Sequence, residues 1–173
     1  MDADQLKEKD LVMRKIGIIA VVALMALALA AVPALAASPL TGSPHFIKSA
    51  TNASVDQSGV LTVNFKESGL SNGSIETLTL SGTGTATYQC FNNGGNHPKA
   101  GNKETVSSFS SSTGDFQVKN GSIVGSLTLQ PPGPGDFTCP PGQDLVGPTN
   151  VSYSGVTLTD TTSGQTVDFG TVR

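Results

Sequence analysis

Residues 75–81 read IETLTLS and residues 83–91 read TGTATYQCF, and in both stretches apolar or small residues alternate with threonine or other polar residues. A two-residue period is typical of a β-strand, because successive side chains of a strand point to opposite faces of the sheet. Threonine is β-branched and suits the half-exposed face of such a strand. The pattern predicts two strands whose inward residues are Leu78, Leu80, Ala86, Tyr88 and Cys90.

The same alternation recurs along the chain after residue 59. Further strands are predicted over Val60–Lys66, Thr105–Ser110 (at a sheet edge), Phe116–Lys119, Ser122–Gln130, Asn150–Thr159 and Gln165–Val172. Asn120-Gly121 predicts a hairpin, because a type I′ turn requires positive φ at both central residues. No stretch of residues 37–173 has the period of an amphipathic helix. We therefore predict an all-β fold of roughly seven or eight short strands, either an antiparallel sandwich of immunoglobulin-like architecture or a small barrel.

The N-terminus has the pattern of an export signal. The basic pair Arg14-Lys15 precedes the uncharged apolar run Ile16–Val32, and the small residues Ala34-Leu35-Ala36 follow, as signal peptidase requires. We predict a signal helix that is removed by cleavage after Ala36, with translation starting at Met1 or at Met13. The alternative is an uncleaved anchor that tethers the protein to a membrane, because the run lies near the lower limit of about 17–25 residues for a spanning helix.

Composition divides the chain into three parts. Residues 1–36 are the predicted signal peptide, residues 37–58 form a flexible leader with few apolar anchors, and residues 59–173 form a single β-domain. The whole chain has 173 residues, of which only 13% are charged, and a net charge of −3. Nucleic acid is therefore not an expected partner, because phosphate backbones are bound by basic surfaces. The predicted location of the mature protein is extracellular.

The chain has two cysteines, Cys90 and Cys139. Because they follow an export signal, we predict that they form a disulfide in an oxidising compartment. The alternative, a metal site that shares a histidine such as His45 or His97, lacks the C-x-x-C spacing. The disulfide would join the end of a strand to the proline-stiffened loop PPGPGDFTCPPGQ, and would bring that loop close to the amide-rich segment FNNGGNHPKAGNK, which begins at Phe91.

Ordered irregular loops of this kind are common binding surfaces. The candidate binding residues are Phe91, Asn92, Asn93, Asn96, His97, Lys99, Asn102 and Phe137. The asparagine, histidine and lysine side chains among them offer hydrogen bonds to a sugar or a carboxylate. The alternative interpretation is that the asparagines and glycines serve the turn conformations of the loop itself.

The segments NFKESGL, TYQCFNNGGNHPKAGNK, PPGPGDFTCPPGQ and VSYSGVTLTDTT resemble a group of small exported bacterial proteins of unknown function. The resemblance covers roughly Val60 to Thr162. It implies an exported β-domain with one disulfide, and it adds no catalytic residue.

Catalytic and metal-binding patterns are not evident in the sequence. The nine acidic residues of residues 37–173 are scattered singly, mostly near turns, and H-E-x-x-H does not occur. Asp160 and Asp168 could contribute to a calcium site only if further oxygen ligands converged on them. Sugar binding usually needs exposed aromatic rings, for which the candidates are Phe91, Phe137 and Tyr153.

The predicted function is therefore that of a non-enzymatic module with no cofactor and no metal, structural or adhesive in role, whose strand edges could pair with other copies. The alternative is a small secreted protein that binds a glycan or another protein through the loops joined by the disulfide.

Overall fold

The computed structural model describes residues 42–92 and 102–173. The predicted signal helix, its cleavage site and Met13 lie outside these residues. Within them the chain is all-β, as predicted, with eight strands and one short 3-10 helix, Lys48–Ala50. The strands are β1 (His45–Phe46), β2 (Asn52–Val55), β3 (Leu61–Ser68), β4 (Ile75–Asn92), β5 (Lys103–Gln117), β6 (Ser122–Leu129), β7 (Gln143–Asp160) and β8 (Thr166–Val172).

The strands form two antiparallel four-stranded sheets, A and B. In sheet A, β6 pairs with one edge of β3 along its full length, whereas β1 and β2 share the other edge. In sheet B the order is β5-β4-β7-β8, so that β5 and β8 are the two edge strands. Both sheets contribute to one hydrophobic core. Its buried members are Leu61, Val63, Phe65, Leu70, Leu78, Leu80, Val118, Ile123, Leu127, Leu129, Tyr153, Val156 and Leu158.

The two strands predicted over 75–91 are one continuous strand, β4. The alternation of buried and half-buried residues runs through Gly82 and Gly84 without interruption. A Cβ atom at Gly84 would lie 3.0 Å from Cδ of Pro132 and 3.1 Å from Cε1 of Tyr153. Gly84 therefore makes room for a neighbouring ring on the inner face, and does not end the strand.

The predicted hairpin at Asn120-Gly121 forms only at its tip. Asn120 and Gly121 have φ values of 51° and 73°, as a type I′ turn requires, and Lys119 pairs with Ser122 across the turn. Beyond that pair the chain separates, because β5 belongs to sheet B and β6 to sheet A. Val118, buried beside the turn, belongs to the shared core. The turn thus connects two sheets. The two short strands predicted over 105–110 and 116–119 are part of one 15-residue strand, β5, which ends at Gln117.

Paired β-structure also extends into the segment interpreted as a leader. β1 and β2 pair with β3, and Ala53 and Val55 of β2 pack against the core. A turn connects β2 to β3. Within this turn, Oδ1 of Asp56 accepts hydrogen bonds from the backbone N–H groups of Ser58 (2.9 Å) and Val60 (3.0 Å). The polar composition of residues 42–58 gave no signal for these strands, since their pairing depends on the free edge of β3.

Candidate functional site

The predicted disulfide is present. Cys90 and Cys139 are bonded, with their Cα atoms 5.5 Å apart and a sequence separation of 49 residues. Cys90 is buried near the end of β4, whereas Cys139 lies outside the strands in the proline-rich segment 130–142. Tyr88 holds the same segment, because its hydroxyl donates a 2.7 Å hydrogen bond to the carbonyl oxygen of the buried Pro132. The segment is therefore held against the end of β4 at two points.

Four of the eight predicted binding residues lie in the described part of the chain. Phe91 and Asn92 end β4 and lie opposite Asp144 and Gln143 of β7. Asn102 donates a 2.8 Å hydrogen bond from Nδ2 to Oε1 of Gln143. Phe137 is half-buried in the proline-rich segment. Asn93, Asn96, His97 and Lys99 lie outside the described residues, and a binding role for the set stays a prediction.

Tyr153 does not offer an exposed ring for sugar binding. It is fully buried in the core, and its hydroxyl donates hydrogen bonds to the carbonyl oxygens of Gly59 (2.8 Å) and Leu129 (3.1 Å). Burial raises the pKa of this hydroxyl, so it stays protonated as a donor. Tyr153 and the inward Val156 are three residues apart, and the register of β7 with β8 shifts between them, so both side chains face the core.

Three acidic side chains that are far apart in the sequence meet inside the fold. Glu67 of β3, Glu76 of β4 and Asp160 of β7 are 0%, 1% and 0% exposed, and we call them the acid cluster. The carboxyl group of Asp160 lies close enough to those of Glu67 and Glu76 to raise the pKa of each. The sequence did carry a signal for this cluster, since each acid lies two residues from a core residue on its strand and hence on the same inward face.

In each carboxyl of the acid cluster, one oxygen accepts a hydrogen bond from the protein and the other oxygen does not. Ser163 donates to Oε1 of Glu67 (3.0 Å), Ser74 donates to Oε1 of Glu76 (2.6 Å), and backbone N–H groups of the β7–β8 turn donate to Oδ1 of Asp160. The second oxygen of each carboxyl is buried without a hydrogen-bond partner. A proton on a neighbouring carboxyl is the donor that would satisfy these oxygens.

Protonation of the two glutamates of the acid cluster is favoured by their surroundings. Burial, followed by the nearby charge of Asp160, raises the pKa of Glu67 from 4.5 to about 7. Burial also raises the pKa of Glu76 above its usual value. A pair of carboxyls of this kind could perform acid–base chemistry in an open cleft. Here the groups are sealed from solvent, so their arrangement bears on stability.

The acid cluster does not have the arrangement of a metal centre. Within residues 42–92 and 102–173, no group of three or more His, Cys, Asp or Glu side chains is arranged to hold a metal ion. Asp168, considered above with Asp160 for calcium, instead accepts a 2.7 Å hydrogen bond from the backbone N–H of Gly170. Asp160 thus accepts hydrogen bonds from the β7–β8 turn, whereas Asp168 accepts one within β8.

Two open grooves of about 550 Å³ each indent the surface. One lies beside β1 and β8 and is lined in part by Phe46, Lys48 and Asp168. The other is lined in part by Lys66, Gln117 and Asn120. We assign no chemistry to either groove.

The outer surface of sheet B is covered with hydroxyl side chains that pair across the strands, and we call it the hydroxyl face. The paired hydroxyl oxygens are 2.8–3.1 Å apart in Thr79–Thr113, Ser81–Thr157, Thr85–Ser107, Thr87–Thr105 and Thr159–Thr166. Phe109 of β5, opposite Thr83, is 70% exposed on this face. The pairing holds the hydroxyls in fixed rotamers, so the hydroxyl face is an ordered and largely uncharged surface.

Comparison with known proteins adds no relative: no protein-family model matches the chain, and neither the curated proteins nor the solved structures contain a match. The resemblance of the quoted segments to small exported bacterial proteins stays a prediction. Over the described residues, no helix combines the length and apolar character needed to cross a membrane.

Proposed function

We propose that the protein is an exported, non-enzymatic module with a structural or adhesive role, and that its two sheets form a β-sandwich of immunoglobulin-like architecture. The shared core of sheets A and B supports the sandwich. The disulfide between Cys90 and Cys139 is consistent with an extracellular location, where such bonds persist. Cleavage of the signal after Ala36 would release the mature chain, and a bacterial source fits the resemblance of its segments.

The hydroxyl face is the observation that carries this proposal. It extends over four strands and offers preordered hydroxyl groups with few charges, so it suits contact with an extended neutral surface better than capture of a small ionic ligand. The convergent carboxyls, by contrast, are sealed in the acid cluster. The molecule therefore offers a broad contact surface in place of a reactive cleft.

Adsorption to insoluble cell-surface polysaccharide tests the proposal. Thr85→Lys breaks the Thr85–Ser107 pair in the middle of the hydroxyl face and adds a charge there. Thr62→Lys is the matched control, because Thr62 is a half-buried threonine of β3 on sheet A. We expect T85K to lose most adsorption and T62K to retain it. Equal retention by the two variants, or no adsorption of the unmodified protein to any cell-surface material, would count against an adhesive hydroxyl face.

A second candidate function is the binding of a glycan or a protein by the loops near the disulfide. Its support is that both residues that flank segment 93–101 contact the same residue: Asn92 pairs with Gln143 across the strands, and Asn102 donates a hydrogen bond to the Gln143 side chain. The two flanking residues are thus held close to one another. On a glycan array, loss of a signal in His97→Ala but not in T85K would favour this candidate over the adhesive face.

A further inference from the structure

The two edge strands of sheet B differ in how they are protected against pairing. β8 has seven residues, its register with β7 is irregular in two places, and Asp168 lies in its middle. β5 has 15 residues and pairs with β4 in an unbroken register. From Thr105 to Gly114 it has no charged residue and no proline. Natural edge strands usually carry such features to prevent pairing with another chain, and the middle of β5 lacks them.

We infer that β5 pairs with β5 of a second copy of this chain, antiparallel and about a two-fold axis at Phe109, so that two sheets B join into one. This pairing deepens the proposed structural role by naming a partner. An exposed edge strand that adds a strand from another molecule is an established mode of recognition. A two-fold axis at right angles to the sheet keeps the hydroxyl faces of both copies on the same side.

The residues of β5 are self-complementary in this register. Phe109 lies opposite Phe109 of the partner subunit, which covers a ring that is 70% exposed in the single chain. Lys103 lies opposite Asp115 of the partner subunit, and this charge pair occurs twice because of the symmetry. Aromatic pairs and opposite charges are both favourable across neighbouring antiparallel strands. A shift of the axis by one residue to Ser108 or Ser110 loses both matches.

The remaining pairs on the outer face repeat the pattern within sheet B. Thr105 lies opposite Thr113 of the partner subunit, and Ser107 opposite Ser111 of the partner subunit, as hydroxyls already pair between β4 and β5. On the inner face, Ser110 has a buried hydroxyl oxygen without a hydrogen-bond partner. The register places Ser108 of the partner subunit directly opposite it, which supplies a hydroxyl at the position where one is lacking.

Sedimentation velocity of the purified protein over a wide concentration range tests the pairing. We expect the average mass to rise from that of a monomer towards twice that value. Phe109→Asp, which would place two carboxylates face to face, should remain monomeric at every concentration. Val124→Asp is the matched control, because Val124 is 73% exposed on sheet A, and it should dimerise like the unmodified protein. A protein that stays monomeric, or a dimer that F109D does not weaken, overturns the inference.

Charge reversal tests the register itself. K103D and D115K should each weaken the dimer by roughly tenfold, because each creates two like-charge pairs. The double variant K103D/D115K restores both opposite pairs and should dimerise like the unmodified protein, whereas Lys119→Asp, in the turn beyond β5, should have no effect. A double variant that is as weak as the single ones overturns the register.

A cross-link provides a readout that does not depend on equilibrium binding. Phe109→Cys should oxidise to a covalent dimer, since facing residues of antiparallel strands have Cα atoms about 4.5–5.5 Å apart, within the range that a disulfide spans, whereas Val124→Cys should not. An F109C variant that stays uncrosslinked under the same oxidation overturns the inference. Since these experiments measure mass in solution, and adsorption is tested with T85K, failure of the pairing is distinguishable from failure of the adhesive role.

Discussion

The acid cluster predicts that the protein becomes less stable as the pH rises from about 5 to about 8. Glu67 has a pKa of about 7 in the folded chain and 4.5 as its ordinary value. Between these two values the folded state binds more protons than the unfolded state, so the free energy of unfolding falls as the pH rises. The stabilisation that proton binding to Glu67 provides is fully present below about pH 4.5 and is lost as the pH rises above about 7. Glu76, whose pKa is also raised, acts in the same direction.

The expected size of the effect follows from the shift of Glu67. One pKa unit corresponds to about 1.4 kcal/mol, so the part of the shift expressed between about pH 5 and about pH 8 amounts to about 2–3 kcal/mol. That is a large fraction of the 5–15 kcal/mol typical of a folded domain. The shift arises because the Glu67 side chain is fully buried and the nearby charge of Asp160 opposes its ionisation.

Urea denaturation at pH 5 and at pH 8 measures this difference. Glu67→Gln removes the charge but retains the shape and a donor toward Asp160, so it should have a much smaller pH dependence and exceed the unmodified protein in stability at pH 8. Glu104→Gln, at an exposed position of β5, is the control and should change neither value by more than about 0.5 kcal/mol. If E67Q loses as much stability as the unmodified protein between the two pH values, Glu67 is not the group that titrates, and our explanation is wrong.

Two further predictions concern the disulfide and one close contact in the core. Reduction of Cys90–Cys139 should lower the free energy of unfolding by about 4 kcal/mol, because the bond closes a loop of 49 residues; denaturation with and without reductant measures this, and an unchanged midpoint would contradict it. Gly125→Ala should destabilise by about 1–3 kcal/mol, since the new Cβ would lie 2.5 Å from Cε1 of Phe116 and 2.9 Å from Cζ of Phe65. Gly133→Ala, with no atom within 4 Å of the new Cβ, is its control, and equal thermal midpoints for the two variants would refute the steric explanation.

Local sequence patterns predicted the strands better than their boundaries. The two-residue period of β3, β4 and β6 follows directly from which side chains face the core, so it was visible without a structure. The sequence pattern predicts that one strand ends before Gly82 and another begins after it. In the structure β4 continues through Gly82, and the pairing of β4 with β7 shifts in register there. The conformational freedom of glycine is a local property, whereas the neighbour that makes glycine necessary, such as Tyr153 at Gly84, comes from another strand.

The candidate sites divide in the same way. The disulfide was predicted because the chain has two cysteines after a predicted export signal. The acid cluster was not predicted, because Glu67, Glu76 and Asp160 are far apart in sequence and come together only when strands of both sheets meet at one end of the core.

By itself, the sequence determined the all-β class, the alternation that divides each strand into a core face and a hydroxyl-rich face, and the pairing of the two cysteines. These depend on the period of the backbone and on the composition of single segments. The tertiary structure alone decided that the Asn120-Gly121 turn links two sheets, that Tyr153 is buried, that three acids share one sealed space and that β5 is left as a long exposed edge. Each of these depends on which strands become neighbours, and strand neighbours are chosen by the packing of the whole core.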